Sequence, residues 1–211
     1  FFSCFAFDIN AACTGFINAL DIADKYIKNN SINNILVIGT EKMSTLVDWS
    51  DRNTCVLFGD GAGSVIIGSS NNPGIISSTI GSNGNYKDLL TVNPDSDFIE
   101  MKGNDVFKIA VNTMGKLAKD TLISNDISID QIDWLIPHQA NSRIINAIAK
   151  KLSLPTDKVI MTVGDHGNTS AASIPLAMDY ANNNNMLKNN DMVLLEAFGA
   201  GFTWGSTLLK F

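Results

Sequence analysis

An internal repeat is the feature that most constrains the fold of this 211-residue chain. The first copy runs from Cys13 through a predicted helix, the apolar run 35–39 and the glycine-rich stretch 58–63 to a further strand. The second copy has the same order of elements between Asn168 and the C-terminus. Because strands that alternate with helices build a sheet with helices packed on it, the repeat predicts an α/β fold of two related halves.

Hydrophobic periodicity predicts the elements between these landmarks. Apolar residues at helical spacing predict helices over 13–29, 105–124, 141–152 and 169–182. Short apolar runs predict strands over 4–10, 35–39, 64–68, 75–80, 133–136, 159–163, 192–198 and 203–211. The run 35–39 is apolar throughout, which is typical of a strand covered on both faces, and 81–96 is predicted to be a polar loop.

Composition and charge exclude several classes of function. The chain is 45% hydrophobic and 17% charged, it has no apolar run of spanning length, and its N-terminus lacks the pattern of a signal peptide. A net charge of −6 argues against general nucleic-acid binding. The glycine-rich stretch 58–63 precedes a strand instead of opening a helix, so it does not favour nucleotide binding. The three cysteines follow no metal-ligand spacing, which predicts free thiols, no metal site and a reducing, cytoplasmic location.

Cys13 is the first candidate catalytic residue. It lies between the predicted strand 4–10 and a helix, where free backbone N–H groups and the helix dipole favour a thiolate. An inert buried cysteine is the alternative. The repeat predicts that Asn168 occupies the equivalent helix N-terminus, and His138 also follows a predicted strand end. Since parallel strands bring their carboxyl ends to one edge of a sheet, we expect these three side chains to share a pocket.

This set of side chains suits acyl transfer. A thiolate can carry an acyl group, while an imidazole and an amide can donate hydrogen bonds to an oxygen that becomes negative. Backbone N–H groups of Cys13 and of the turn 199–201 could form a separate oxyanion hole. Taken singly, His138 could be a core histidine and Asn168 a turn or helix-capping residue. His166, in a glycine-flanked turn, is interpreted as a turn-shaping residue.

Four segments resemble the signature motifs of one family, β-ketoacyl-acyl carrier protein synthase III. They are DINAACTGF at 8–16, PHQANSRI at 137–144, HGNTSAAS at 166–173 and FGAGFTWG at 198–205. The resemblance implies a thiolase-like fold of two pseudo-symmetric α/β halves in a layered αβαβα arrangement, with the first half incomplete. Residues 1–72 would be the C-terminal portion of the first half and carry Cys13. Residues 73–211 would be the second half and carry His138 and Asn168.

The same resemblance implies a reaction. A short acyl-CoA, such as acetyl-CoA, would acylate Cys13, and malonyl-acyl carrier protein would then lose CO2 and attack the thioester to give acetoacetyl-acyl carrier protein. His138 and Asn168 would stabilise the enolate, and the backbone N–H groups of Cys13 and Ala200 would form the oxyanion hole. No metal or bound cofactor is implied. The implied partners are acyl-CoA, acyl carrier protein and a second copy of the chain in a homodimer, without nucleic acid or membrane.

Further residues take roles by the same resemblance. The CoA site is predicted to include Arg52 and Asn141. The acyl pocket is predicted to be lined by Leu57, Phe58, Phe107 and Phe198. A basic face that docks the acidic carrier protein is predicted from Lys108, Arg143, Lys150 and Lys151. The ordinary alternatives are a surface arginine, apolar core residues and a solvated helix face.

Two departures from the family pattern leave alternatives open. Ala200 stands where the family has a glycine, and if that position needs a positive φ its methyl group adds about 1 kcal/mol of strain. The chain also lacks the N-terminal part of the pattern, which would flank the Cys13 strand. Three hypotheses therefore remain: the initiating condensing enzyme of type II fatty-acid synthesis, a related Cys-His-Asn polyketide-type condensing enzyme, and a non-catalytic truncated fragment or subunit.

Overall fold

The computed structural model describes residues 4–72 and 74–211. The helices in this part of the chain are α1 (Gly15–Lys28), α2 (Gly103–Ser124), α3 (Ser142–Leu152), α4 (Val163–His166) and α5 (Ser173–Asn183). The strands are β1 (Asn34–Lys42), β2 (Asp60–Gly68), β3 (Ile75–Ser82), β4 (Leu90–Val92), β5 (Ile99–Met101), β6 (Trp134–Pro137), β7 (Met192–Gly199) and β8 (Thr203–Lys210). None of the helices in these ranges is long and apolar enough to cross a membrane.

The described elements stack as alternating sheets and helix pairs. Strands β1 and β2 form an antiparallel two-stranded sheet, and the larger sheet has the order β3-β8-β7-β6, in which β6 and β7 are parallel and the other pairs antiparallel. Helices α1 and α5 lie between the two sheets, and α2 and α3 cover the far face of the larger one. Strand β7 is buried along its whole length because helices cover both of its faces.

Two apolar clusters hold these layers together. One lies between the sheets and includes Phe16 of α1, Ile174 of α5 and Leu195 of β7. The other lies between the larger sheet and the outer helices and includes Met114 of α2 and Ile145 of α3. Side chains along β7 point alternately to the two faces of the sheet, so this central strand contributes residues to both clusters.

The glycine-rich stretch at the start of β2 is a packing surface. A Cβ atom on Gly61 would lie 2.9 Å from Leu176 Cδ1, and one on Gly63 would lie 2.9 Å from Pro175 Cβ, both on α5. On the neighbouring strand, a Cβ on Gly39 would lie 2.5 Å from the Ala171 carbonyl oxygen. Glycine at these positions therefore lets the two-stranded sheet approach the segment that leads into α5.

The predicted strand 4–10 is wrong. These residues are described without regular structure, and no described strand pairs with them. Phe5 and Phe7 stack on each other at 6.0 Å between ring centroids, and both are more than half exposed. An apolar run becomes a strand only where another strand completes its backbone hydrogen bonds, and that condition is not met here.

The strand predicted over 35–39 exists, but the expectation that both faces are covered is wrong. Strand β1 alternates between buried and exposed residues, and on its open face Leu36 and Ile38 are 50% and 55% exposed. Ile66 of β2, opposite Leu36, is 74% exposed. The described layers cover one face of this sheet, which explains why an unbroken apolar run alternates in burial.

Other boundaries also differ from the prediction. The strand predicted over 159–163 is reduced to a single bridge between Val159 and Leu135, because α4 begins at Val163. The stretch predicted as the loop 81–96 contains a 3-10 helix over Gly84–Leu89 and strand β4.

The repeat is present in the structure with a shifted register. Asn10 and Asn168 each accept a hydrogen bond on Oδ1 from the N–H two residues later, at 3.3 and 2.9 Å. The next residues, Ala12 and Ser170, both have positive φ (46° and 49°) and open 3-10 turns that lead into α1 and α5. The counterpart of Asn168 is therefore Asn10, three residues before Cys13, so Cys13 and Asn168 lie at equivalent helix N-termini but at different positions within them.

A methyl group at Gly39 tests the close approach between β1 and the α5 segment. We expect Gly39→Ala to lower the free energy of unfolding by about 1–3 kcal/mol, because the new Cβ meets backbone that cannot rotate away. Urea titration followed by circular dichroism measures this loss. Gly164→Ala is the matched control, since nothing lies within 4 Å of a Cβ there. Equal unfolding midpoints for the two variants would contradict the packing described.

Candidate active site

A buried cavity brings the three predicted catalytic side chains together. Cys13, His138 and Asn168 all line one space of about 50 Å³, and they are 9%, 4% and 7% exposed. The predicted acyl-pocket residues Leu57, Phe58 and Phe198 line it as well. Apolar residues that the sequence analysis did not assign complete the wall, among them Leu90, Met101, Val106, Ala110, Met114 and Ile144.

Cys13 lies in a short 3-10 turn directly before α1 and against the turn that follows β7. A Cβ atom on Gly199 would lie 2.8 Å from the Cys13 backbone nitrogen and 3.0 Å from its Cβ. Only a residue without a side chain allows this approach. The contact places the turn 199–201 beside the nucleophile, where the oxyanion hole was predicted.

The thiol of Cys13 is not activated in the resting structure. The pKa of Cys13 is raised to about 11, chiefly by burial and also by the charge of Glu41, although hydrogen bonds from the Ser170 side chain and the Cys13 backbone lower it. The expectation that the helix N-terminus favours a thiolate at Cys13 is therefore not met in this structure. Removal from water outweighs the favourable hydrogen bonds.

His138 is held as a neutral imidazole at the end of β6. Its backbone N–H donates to the Glu196 carbonyl oxygen at 2.7 Å, and its Nδ1 lies 2.7 Å from Ser173 Oγ. Burial lowers the pKa of His138 to about 4. At neutral pH the ring therefore carries one proton and presents Nε2 as its remaining polar atom.

The side-chain oxygen of Asn168 is engaged in a hydrogen bond, and its side-chain nitrogen is left for the cavity. Its Oδ1 accepts the Ser170 N–H at 2.9 Å, so the remaining side-chain group, Nδ2, is a hydrogen-bond donor. Its backbone is fixed to the other half, since Asn168 N–H donates to the Leu57 carbonyl at 2.8 Å and the Gly59 N–H donates to the Asn168 carbonyl at 3.0 Å. The local turn that Asn168 forms with Ser170, which was one alternative to a catalytic role, therefore also orients the Nδ2 donor.

A second, outer cavity of about 440 Å³ adjoins the first. The two share five lining residues, including Leu57 and Asn141, so the outer cavity lies next to the one that holds Cys13. Asn141 also caps α3, because its Oδ1 accepts the Ile144 N–H at 2.9 Å. Phe107 lines this outer cavity and not the inner one, and the Arg143 guanidinium carbon lies 5.6 Å from its ring centroid.

Two predicted binding residues lie apart from these cavities. Arg52 is exposed and lines neither cavity, whereas its neighbour Asn53 lines the outer one. Lys151 lies along α2 with its Nζ 2.6 Å from Asn112 Oδ1, and a Cβ on Gly115 would lie 2.6 Å from its Cδ. The aliphatic part of Lys151 thus joins α3 to α2.

The remaining predicted residues lie on the surface or in the closing turn. Lys108 and Lys150 are exposed on α2 and α3. Ala200 lies outside the positive-φ region, and the positive φ of its turn falls on Gly201 (131°). The condition for strain at Ala200 is therefore not met. His166 is exposed in α4 and does not line the cavity, in agreement with its interpretation as a turn residue.

Sequence reasoning missed the polar residues behind the site. Glu41 of β1 accepts hydrogen bonds from Ser170 Oγ at 3.1 Å and the Ala171 N–H at 3.3 Å. Ser173 contacts His138, and the Gln139 side chain is buried beside it. These residues are distant in sequence or belong to ordinary helix-start patterns, so only their spatial meeting identifies them. Among the described residues, no group of three His, Cys, Asp or Glu side chains is placed to hold a metal ion.

Comparison with known proteins shows which family the chain matches. Residues 7–84 match the family described as "3-Oxoacyl-[acyl-carrier-protein (ACP)] synthase III", and residues 122–211 match the C-terminal part of the same family. Beta-ketoacyl-[acyl-carrier-protein] synthase III of Methylococcus capsulatus is 53% identical over 218 residues, covering 99% of this chain. The match covers 68% of that relative, so the chain spans about two thirds of its length.

Solved structures share the fold. The 3-oxoacyl-[acyl-carrier-protein] synthase III of Aquifex aeolicus superimposes with a TM-score of 0.96 at 46% identity, covering 98% of this chain and 67% of that one. The priming β-ketosynthase of the R1128 polyketide pathway has a TM-score of 0.91 at 33% identity, covering 97% and 65%. These likenesses confirm the predicted thiolase-like α/β fold.

The pH dependence of Cys13 alkylation tests its electrostatic setting. We expect its rate with iodoacetamide to rise about tenfold per pH unit from about pH 7 to about pH 10. The reason is that the thiolate fraction grows this steeply below a pKa of about 11. Glu41→Gln removes the nearby charge and should shift the profile to lower pH, whereas Glu100→Gln, exposed on β5, should not. Peptide mass spectrometry follows Cys13 specifically, and a rate that levels off near neutral pH would contradict the result.

Proposed function

The chain belongs to the 3-oxoacyl-[acyl-carrier-protein] synthase III family, and from this membership we propose how it works as an initiating condensing enzyme of fatty-acid synthesis. Cys13 accepts a short acyl group from acyl-CoA, with acetyl-CoA as the simplest donor. The acyl group is then joined to malonyl-acyl carrier protein with loss of CO2. The observation that carries this proposal is the shared cavity of Cys13, His138 and Asn168, enclosed by apolar side chains.

The first half-reaction uses Cys13. Its sulfur attacks the thioester carbonyl, the bond from that carbon to the CoA sulfur breaks, and the thiol proton lost by Cys13 is balanced by the proton gained by CoA. The negative oxygen of the tetrahedral intermediate needs nearby donors, and the backbone N–H groups of Cys13 and Ala200 are proposed to supply them. The contact of Gly199 with Cys13 supports this placement.

The second half-reaction uses His138 and Asn168. Loss of CO2 from the malonyl group leaves an enolate, whose oxygen is negative until its carbon attacks the acyl-cysteine thioester. The new carbon–carbon bond forms as the bond from the acyl carbon to the Cys13 sulfur breaks, and the released thiolate takes up a proton. Asn168 Nδ2 is available as one donor because Oδ1 is committed to Ser170. A neutral His138 is the second donor, and its burial keeps water from competing for the enolate oxygen.

The two adjoining cavities are the proposed path for substrates. A narrow route past Leu57 and Asn141 suits an extended pantetheine arm that enters from the outer cavity. Arg143, stacked beside Phe107 at the entrance, and the exposed Lys108 and Lys150 are proposed to meet the phosphates of CoA and the acidic surface of the carrier protein. Arg52 is also proposed to contact CoA and Lys151 to contact the carrier protein. Arg52 is exposed and lines neither cavity, and Lys151 donates to Asn112.

Further parts of the proposal concern assembly and location. A cytoplasmic homodimer that binds no resident cofactor or metal is proposed, with residues 1–72 and 73–211 as parts of its two halves. A polyketide-type condensing enzyme is the second candidate, since the R1128 priming β-ketosynthase shares the fold at 33% identity. The fatty-acid assignment is preferred because the Methylococcus capsulatus synthase is 53% identical.

Acylation and decarboxylation separate the roles of the three residues. Incubation with acetyl-CoA should leave one acetyl group on Cys13, detected by intact-mass and peptide analysis, and malonyl-acyl carrier protein should discharge it. Cys13→Ala should abolish the adduct and keep malonyl decarboxylation, whereas Asn168→Asp should lower decarboxylation about 100- to 1000-fold. Asn168→Asp keeps the oxygen that accepts from Ser170 and puts a carboxylate oxygen in place of the Nδ2 donor, so the variant loses the donor and adds negative charge beside the enolate.

Cys55→Ser is the control for the acylation experiment, because Cys55 is a second free cysteine outside the cavity and its loss should leave the adduct unchanged. Folded protein that forms no adduct would overturn the proposed activity and favour a non-catalytic fragment.

Charge reversal tests the docking face. Lys150→Glu should raise the KM for malonyl-acyl carrier protein by about tenfold at low salt, with a smaller effect at high salt, because like charges then face each other. The rate of Cys13 acetylation by acetyl-CoA should not change, since Lys150 lines neither cavity. Lys188→Glu, exposed before β7, is the matched control. An equal KM for both variants would place carrier-protein docking elsewhere.

A further inference from the structure

A buried serine contacts the imidazole from the side opposite the cavity. Ser173, the first residue of α5, is 1% exposed, and its Oγ lies 2.7 Å from His138 Nδ1. A hydroxyl can either donate to an unprotonated ring nitrogen or accept from a protonated one. The direction of this one hydrogen bond therefore decides which ring nitrogen of the neutral His138 carries the proton.

The hydroxyl of Ser173 has a second partner, which leaves its own hydrogen available to His138. The backbone N–H of Gln139 donates to Ser173 Oγ at 3.3 Å, so the oxygen already accepts one hydrogen bond. Its own hydrogen is then free to point at His138 Nδ1. The serine can thus act as an acceptor from Gln139 and a donor to His138 at the same time.

The Gln139 side chain holds this arrangement in place. Its Oε1 accepts the N–H groups of Thr162 and Val163 at 2.8 and 3.1 Å. Its Nε2 donates to the carbonyl oxygens of Pro137 and Ile160 at 2.7 and 3.2 Å. With the side chain tied to backbone on both sides and 1% exposed, the backbone N–H of Gln139 has a fixed aim at Ser173.

We propose that Ser173 is a positioning residue that holds His138 in the tautomer with the proton on Nε2. This inference rests on the proposed function, in which Nε2 donates to the malonyl thioester oxygen as it becomes an enolate. The opposite tautomer would present a lone pair to that negative oxygen, which repels it. Acylation of Cys13 does not use this donor, so Ser173 acts in the condensing half-reaction alone.

The tautomer with the proton on Nδ1 is the alternative. In that tautomer Nδ1 donates to Ser173 Oγ, because a hydroxyl oxygen has two lone pairs and can accept from Gln139 and His138 together. Nε2 is then unprotonated and cannot donate. The two tautomers differ in whether Nε2 carries the proton, and a nitrogen-15 NMR spectrum can decide this without any assay of activity.

Nitrogen-15 NMR of the imidazoles measures the tautomer directly. The chain has two histidines, so the spectrum contains two rings, and His138→Gln identifies the signals of His138 by their loss. We expect Nε2 of His138 to show the shift of a protonated nitrogen at pH 7 and Nδ1 that of an unprotonated one. Protonated Nδ1 in the unaltered protein would overturn the proposal, whatever the variants do.

Substitution of Ser173 links the tautomer to the reaction. Ser173→Ala should move proton occupancy from Nε2 toward Nδ1 and lower malonyl decarboxylation by about 10- to 1000-fold, while Cys13 acetylation changes less than about twofold. Ser173→Thr, which keeps the hydroxyl, should restore the Nε2 proton and much of the rate. Ser206→Ala removes another fully buried hydroxyl, on β8, and should change neither.

The spectra and the assays fail in different ways. An Nε2 proton that depends on Ser173 in a protein that cannot decarboxylate malonyl-acyl carrier protein would overturn the proposed function and leave the tautomer assignment standing. Normal decarboxylation in Ser173→Ala, or an unchanged spectrum in that variant, would overturn the role of Ser173 and leave the function standing.

Discussion

Close packing at the seam between the two halves is the constraint on which the active site depends. Glycines in β1 and β2 let the two-stranded sheet lie against α5, and backbone hydrogen bonds tie Asn168 to Leu57 and Gly59. At the end of β7, the absence of a side chain on Gly199 lets the turn that contains Cys13 pack against it. Cys13 and Asn168 are distant in the sequence, so their relative positions depend on these backbone contacts. Tight backbone contact is an effective way to fix them because backbone has little freedom to relax.

Burial has two opposing effects on the groups in the cavity. It raises the pKa of Cys13 to about 11 and so favours the protonated thiol at neutral pH. It also lowers the pKa of His138 to about 4, which keeps the imidazole neutral. Both effects come from the cost of holding charge away from water. A site of this kind holds little charge at rest and offers fixed donors where negative charge develops, which is the condition under which hydrogen bonds stabilise an enolate best.

The polar residues around the cavity serve orientation more than contact with substrate. The side-chain oxygen of Asn168 accepts a hydrogen bond from the Ser170 N–H. Ser173 accepts one from the Gln139 N–H and also contacts His138. At Asn168 the hydrogen bond leaves Nδ2 as the group that faces a substrate, and at Ser173 it leaves the hydroxyl hydrogen available to His138. Buried networks of this type work only when their members are satisfied, because an unpaired polar group away from water is costly.

The sequence by itself determined the α/β class, the helices, most strands and the identity of the three residues in the cavity. Those features follow from local periodicity and from motifs that stay within a few residues of each other. Tertiary structure decided the rest. Residues 4–10 are not a strand because strand formation needs a partner, and the apolar run 35–39 alternates in burial because only one face is covered. The state of Cys13 was also misjudged, since a helix N-terminus is visible in sequence and the desolvation that outweighs it is not. Ser173 and Gln139 are 34 residues apart in the sequence, and only the folded structure brings the two together beside His138.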